Sequence, residues 1–138
     1  VRAAGGDYVL VHDGVRPFFS DKLLERVIEA TKAYGAALPV LPLSDTLFLI
    51  SADGFIERAF DRRWIVHAQT PQGFERKLLC ESLEKAQARG LRFTDEAGAV
   101  WAMSGVRAKW IEGEEWNIKI TTPWDLQLAE CIGRTLRV

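Results

Sequence analysis

In "YVLVHDGVRPFFS", residues 8–20, an apolar run ends in His12, Asp13, Arg16 and Pro17, where a core would be expected to continue. Outside the carboxyl end of a strand in an open parallel sheet, ligands collect. An aspartate at that place can offer one or two oxygens to Mg²⁺, which keeps waters and takes its other ligands from substrate phosphates. Arg16 carries a planar fork suited to a phosphate. In "WNIKITTP" the amine of Lys119 lies between Ile118 and Ile120 in a strand-like run, so it points away from them at the sheet end, where it could steady developing negative charge. Local explanations stand beside these: Asp13 starts a turn, and Arg16 is a surface residue held by Pro17. His12 alternates to the other side of the strand, which favours a packed, hydrogen-bonded histidine over a catalytic one.

Further polar groups occupy similar junctions: Asp45 and Thr46 after "LPVLPL", Arg62 and Thr70 flanking "RWIVHAQTPQ", and Thr94 with Asp95 before a helix. Each has a bland alternative: Thr94 as an N-cap, Asp45 as a turn former, Arg62 and Arg63 as solvated cations. No Ser/His/Asp or Cys/His arrangement is evident, which disfavours covalent hydrolase chemistry.

The elements that must position these groups follow from periodicity. Residues 7–12 read as a buried strand. A helix then opens at the N-cap Ser20, carries Leu23, Leu24, Val27 and Ile28 on one face and ends at Gly35. "AALPVLPL" (36–43) is a second apolar run, so strand, helix and strand imply a parallel crossover unit and the doubly wound α/β class. Phe74, Leu78, Leu79, Leu83 and Ala86 suggest a second helical face closed by Gly90. Thr94 starts a shorter helix stopped by Gly105, "RAKWIEG" reads as a strand, and "TTPWDLQLAE" opens a last helix with Thr122 as N-cap, Pro123 first and Asp125 completing a capping-box-like start. Between these lies "TLFLISADGFIERAF" (46–60), two apolar-rich runs around Asp53-Gly54, a favoured hairpin dipeptide. A two-stranded ribbon rarely stands alone, so a projecting arm over residues 46–66 that docks on a second subunit is one expectation, and an edge hairpin packed on its own domain is the other.

With 138 residues, 48% of them hydrophobic and 27% charged, the chain suits one folded domain with a real core. The net charge of −1 with scattered basic residues lacks the footprint of a nucleic-acid binder, so no nucleic-acid partner is expected. No apolar run is long enough to span a membrane, and residues 1–12 lack the plan of a signal peptide, so no membrane partner and a cytoplasmic location are expected. Cys80 and Cys131 sit in helical patterns without metal-ligand spacing and read as buried free thiols. The five tryptophans fall mainly on element faces and are expected to pack in the core or the arm rather than stack on a base, and "EGEE" is expected to form a solvated loop from which Glu114 or Glu115 could approach a metal.

Six blocks in order, "LVHDGVRPF", "LPLSDT", "AFDR", "HAQTPQGF", "TDEA" and "EGEEWNIKITTPWDLQLAE", closely resemble the 2-C-methyl-D-erythritol 4-phosphate cytidylyltransferase family. The resemblance implies an α/β, Rossmann-like nucleotidyltransferase domain of the nucleotide-diphospho-sugar transferase type, with a mostly parallel sheet and a hairpin dimerisation arm. It also implies a homodimer and Mg²⁺-dependent transfer of CMP from CTP to a polyol phosphate, with pyrophosphate released. On this likeness Asp13 matches the metal-binding aspartate, and Arg16, Thr46 and Thr94 match positions around the polyol phosphate. Arg62 and Thr70 match residues near the arm, Arg62 serving the neighbouring subunit's phosphate site, and Lys119 matches a lysine that contacts substrate phosphate. Asp13, Arg16 and Lys119 would be the catalytic set.

No counterpart of the family's glycine-rich nucleotide turn is seen, and "VRAAGGDY" looks like the tail of a preceding helix. The expectation is therefore the carboxyl-terminal part of a longer enzyme, with residues 1–138 a single partial domain. A ribitol 5-phosphate cytidylyltransferase, or a non-catalytic dimerisation and phosphosugar-binding fragment, are the alternatives. Cytoplasm in a bacterium, or plastid stroma for a processed plant protein, is the matching location.

Overall fold

The computed structural model describes residues 5–136. The chain runs β1 (Tyr8–Val11), α1 (Asp21–Tyr34), β2 (Ala36–Pro42), β3 (Leu47–Ile50), β4 (Ile56–Phe60), a 3₁₀ turn (Arg62–Trp64), β5 (Val66–Ala68), β6 (Gln72–Glu75), α2 (Arg76–Ala88), α3 (Glu96–Ser104), β7 (Lys109–Glu112) and α4 (Pro123–Leu136). Of the expected helix tail at the amino terminus, residues 1–4 lie outside the described part and residues 5–7 are not helical.

The main sheet is mixed, which corrects the expectation of a mostly parallel one. Among the described residues only β2 and β7 pair in parallel; β6 is antiparallel to both β1 and β2, and β5 is antiparallel to β2. Strands β1 and β2 do run the same way, as the crossover through α1 requires, but β6 lies between them. The short strands "VHA" and "QGFE" escaped the sequence reading, and Phe74, assigned there to a helical face, belongs to β6.

Strands β5 and β6 follow one another along the same side of β2. Ala37 pairs with Gly73 and Val40 with Ala68, so two residues of β2 face four of the returning chain. The break falls opposite Pro39, which has no N–H to give a ladder. Its carbonyl instead accepts from Gln69 N–H at 2.8 Å. The unpaired stretch, which includes the cis Thr70–Pro71 peptide, turns side chains of Gln69 and Thr70 toward the loop ends.

Successive residues of β6 point to opposite faces. Phe74 packs with Ala36, Leu79 and Val100 beneath α2 and α3, while Gly73 meets α1, where an added Cβ would lie 2.0 Å from Thr31 Oγ1. Helices therefore cover both faces. Ser20 caps α1 by accepting from Leu23 N–H, and Gly35 closes it at φ +81°. Strand β1 is only half-buried, with Tyr8 and Leu10 exposed, rather than fully buried. The N-cap of α3 is Asp95, which accepts from Gly98 N–H, so Thr94 precedes the helix instead of capping it.

β3 and β4 form a separate two-stranded sheet. Its loop is longer than a two-residue Asp-Gly turn: Ser51 and Phe55 close it, with Ser51 Oγ bonding Asp53 and Gly54 at φ +92°. Phe48, Ile50, Phe55 and Ile56 are exposed. All five tryptophans are exposed too, against the expectation of core packing; Trp124, for instance, starts α4, whose buried residue is Ala129. Cys80 is half-buried and Cys131 exposed, so the reading of two buried thiols is also corrected.

The start of α4 is a reciprocal cap. Thr122 Oγ1 accepts from Asp125 N–H at 3.2 Å, and Asp125 Oδ2 accepts from the N–H groups of Thr121 and Thr122 at 2.9 and 2.8 Å. These bonds hold the Asp125 carboxyl at about 2, below its ordinary 3.8. A carboxylate depressed in the folded state contributes stability that is fully present above its unfolded value and lost as pH falls through the folded one. The melting temperature is therefore expected to fall between about pH 4 and pH 2 more steeply for the wild type than for Asp125→Asn; parallel acid profiles would refute this. Separately, Gly73→Ala is expected to cost about 1–3 kcal/mol in urea unfolding, because the new methyl overpacks against Thr31.

Candidate active site

The chain leaves β1 through His12 and Asp13 into a turn closed by Arg16 N–H donating to the Asp13 carbonyl at 3.0 Å. The turn folds the Arg16 side chain back, so that Nε donates to Asp13 Oδ2 at 3.2 Å. Residues 117–121, irregular rather than the expected strand, run beside this turn, with Ile120 N–H donating to the Val15 carbonyl at 2.9 Å. That contact brings Lys119 Nζ to 3.2 Å from the same Asp13 oxygen. Partial burial pushes the Asp13 carboxyl up, but the hydrogen bonds and charges of Lys119 and Arg16 outweigh it and hold the group below its ordinary value. Asp13 is thus an anion at neutral pH between two cations.

The two cations differ in freedom. The Arg16 side chain is 11% exposed, and besides Asp13 it donates through Nη1 to the Asn117 carbonyl at 2.8 Å and through Nη2 to the Ala68 carbonyl at 3.5 Å. Further N–H donors remain on both Nη atoms. Lys119 is 48% exposed and its Asp13 contact leaves donors free for a ligand.

His12 is packed and hydrogen-bonded, as its strand position suggested. Its Nε2 lies 2.8 Å from the Arg16 carbonyl, which can only accept, so Nε2 donates there, and Nδ1 shares a hydrogen bond of 2.9 Å with Thr70 Oγ1. Thr70 Oγ1 in turn accepts from Asp13 N–H at 3.0 Å, and the Phe19 ring stands edge-on to the imidazole. This chain of bonds fixes the backbone at Asp13.

Beneath lies a buried polar group that the sequence reading passed over. Gln69 Nε2 donates to the carbonyls of Glu114 and Asn117, and Gln69 Oε1 accepts from Glu114 N–H. Asn117, fully buried, donates through Nδ2 to the Thr70 carbonyl at 2.8 Å. Glu114, far from being solvated, is buried and accepts from both the N–H and the hydroxyl of Ser20. A polar residue between apolar neighbours, as in "WNIKI", was the signal available for Asn117.

These elements enclose a cavity of about 230 Å³ lined by Asp13, Arg16, Thr70, Gln72, Thr94 and Lys119, among others. Five of the seven residues singled out in the sequence thus share one cavity. Thr46 and Arg62 do not line it: Thr46 is exposed between β2 and β3, and Arg62, in the 3₁₀ turn, donates to the Ser44 carbonyl. For a metal, Asp13 Oδ1 has no hydrogen bond among the described residues and is available as a ligand. No cluster of three or more His, Cys, Asp or Glu suited to a metal occurs among them. One free carboxylate oxygen fits an ion that takes most of its ligands from phosphates and water.

The sequence profile of the family described as 2-C-methyl-D-erythritol 4-phosphate cytidylyltransferase matches residues 1–135. The enzyme of that name from Syntrophus aciditrophicus is 44% identical over 124 residues, covering 90% of this chain and 53% of its relative. Among solved structures, the cytidylyltransferase from Thermus thermophilus superposes with a TM-score of 0.87 at 44% identity, covering 96% of this chain and 64% of that one. The 4-diphosphocytidyl-2C-methyl-D-erythritol synthase from Anaerococcus prevotii gives 0.85 at 32% identity, over 94% and 59%. The chain spans about half the length of the curated relatives it matches. The likeness takes in the amino-terminal residues as well as the rest, which overturns the expectation of a carboxyl-terminal part lacking the nucleotide loop. With a mixed-sheet α/β fold matching solved members and a profile match over nearly every residue, the chain belongs to the 2-C-methyl-D-erythritol 4-phosphate cytidylyltransferase family.

Proposed function

We propose that the protein transfers CMP from CTP to 2-C-methyl-D-erythritol 4-phosphate, forming 4-diphosphocytidyl-2-C-methyl-D-erythritol and pyrophosphate in a Mg²⁺-dependent reaction. The observation that carries this reading is the meeting of Arg16 Nε and Lys119 Nζ, each 3.2 Å from Asp13 Oδ2, at the wall of one cavity. The Asp13–Arg16–Lys119 cluster carries two cations to one anion and suits a phosphate placed against it, while Asp95 and Glu96 line another part of the same cavity.

The chemistry asks little beyond placement. A phosphate monoester has its second pKa near about 6, so at neutral pH the acceptor is already an ionised nucleophile and no general base is needed. An acceptor oxygen attacks the α-phosphorus of CTP, the bond to the bridging oxygen breaks, and pyrophosphate leaves with that electron pair. Lys119, the more open cation, holds the attacking phosphate in line and offsets the charge that builds on the transferring group. Arg16 holds the Asp13 carboxylate in place and adds its own charge to the wall. Asp13 would hold Mg²⁺ through Oδ1, and the ion would supply charge neutralisation for the triphosphate.

Thr70 and Thr94 offer hydroxyls at the cavity wall. Thr46 and Arg62, outside it, stand near the base of the hairpin, consistent with service to a second subunit's site. The exposed apolar residues of β3 and β4 support a homodimer joined through that arm, within a single domain that the arm interrupts. A cytoplasmic location goes with use of the CTP pool.

Pyrophosphate release from CTP with 2-C-methyl-D-erythritol 4-phosphate and, in parallel, ribitol 5-phosphate tests the reading. Turnover is expected with the former, and Asp13→Asn is expected to lower it by about 10²-fold or more while circular dichroism stays unchanged. Preference for ribitol 5-phosphate, or full activity in Asp13→Asn, would overturn the assignment.

A further inference from the structure

Two glutamines flank the cis Thr70–Pro71 peptide, and they differ in what they hold. Gln69 uses both ends of its carboxamide on the protein. Gln72, the first residue of β6, is 2% exposed, and its Oε1 is buried with no hydrogen-bond partner among the described residues. A buried carbonyl oxygen without a partner destabilises the fold, and such groups in native proteins call for an explanation. Packing alone would be served as well by an apolar chain of similar length. Gln72 lines the same cavity as Asp13, Arg16 and Lys119.

We propose that Gln72 reads a hydroxyl group on the carbon chain of the acceptor substrate and so selects a polyol phosphate over phosphates that lack the hydroxyl. This rests on the reaction proposed above for the site. The terminal torsion of a glutamine is broad and nearly two-fold, so the side chain can present either its carbonyl or its NH₂ to the cavity. A hydroxyl both donates and accepts, and therefore complements either presentation. A phosphate oxygen only accepts, and the Lys119 ammonium already serves it. With the acceptor's phosphate at Lys119, its carbon chain is left to meet Gln72 on the same wall. A site built to bond a hydroxyl discriminates against the analogue lacking it, because the polar group is then left buried and unpaired.

The test uses Gln72→Met, close in length and shape but with neither a strong donor nor a strong acceptor. Titration calorimetry would measure the affinities of the wild type and the variant for 2-C-methyl-D-erythritol 4-phosphate, for its singly deoxygenated analogues and for inorganic phosphate. The wild type is expected to bind the parent at least about 10-fold tighter than one of the analogues. Gln72→Met should erase that difference, leave inorganic phosphate binding unchanged, and unfold in urea no earlier than the wild type. Retention of the discrimination in Gln72→Met, no discrimination in the wild type, no polyol phosphate binding at all, or early unfolding of the variant would each overturn the proposal. Hydroxyl discrimination that depends on Gln72 without any CMP transfer would uphold this role while removing the proposed reaction. Transfer without such discrimination would do the reverse.

Discussion

The side chain of Gln69 reaches from the gap between β5 and β6 to the segment after β7, where it donates to two carbonyls and accepts from one N–H. Those bonds join parts of the chain about 45 residues apart, and the site stands on them. The approach is possible because Gly113 has no side chain: a Cβ there would lie 2.3 Å from Gln69 Oε1 and 3.0 Å from the Val40 carbonyl. Glu114 continues the connection to Ser20 at the head of α1, and Asn117 continues it to Thr70. In a dry interior these side chains would be costly alone, and each makes at least one bond to another segment, although Asn117 Oδ1 has no partner among the described residues. The loops bearing Asp13, Thr70 and Lys119 are thus positioned by a shared polar interior rather than by apolar packing.

Above that interior the charges divide their tasks by exposure. Arg16 is largely enclosed and bonded to backbone carbonyls on two other segments, so its position is fixed before any ligand arrives. Lys119 is half in solvent and can follow a ligand. Both draw on one oxygen of Asp13, which leaves the other oxygen of that carboxylate unengaged. A rigid cation, a mobile cation and an anion with an open lone pair make a wall that responds to charge placed against it without needing to be rebuilt.

Much of this was legible in the sequence, and the parts that were not have physical reasons. Ser20, Gly35 and the Thr122–Asp125 pair marked helix ends correctly because capping is a local interaction. Asp13, Arg16 and Lys119 stood out because charged groups interrupt apolar runs. Sheet direction was misjudged because strand pairing is settled by distant segments, and the short strands β5 and β6 carry "VHA" and "QGFE", which have little periodicity to read. Gln69, Gln72 and Asn117 were overlooked, and Glu114 was read as part of a solvated loop, for a related reason: an amide or carboxylate in a polar stretch looks solvated until its burial is known. Thr94 was placed one residue too far into its role, since Asp95 beside it is an equally good cap and the backbone chose it.

The hairpin of β3 and β4 shares no ladder with the main sheet. Its backbone bonds therefore need not break together with those around Phe74 and Ala36, and opening of the ribbon is a sub-global event of its own. Amide protons of residues 47–60 are then expected to exchange as a unit separate from those of β2 and β6. Whatever covers the ribbon's apolar side chains raises the free energy of its opening, so hydrogen exchange in this segment registers the occupancy of its outer face while the cavity's framework stays unaffected.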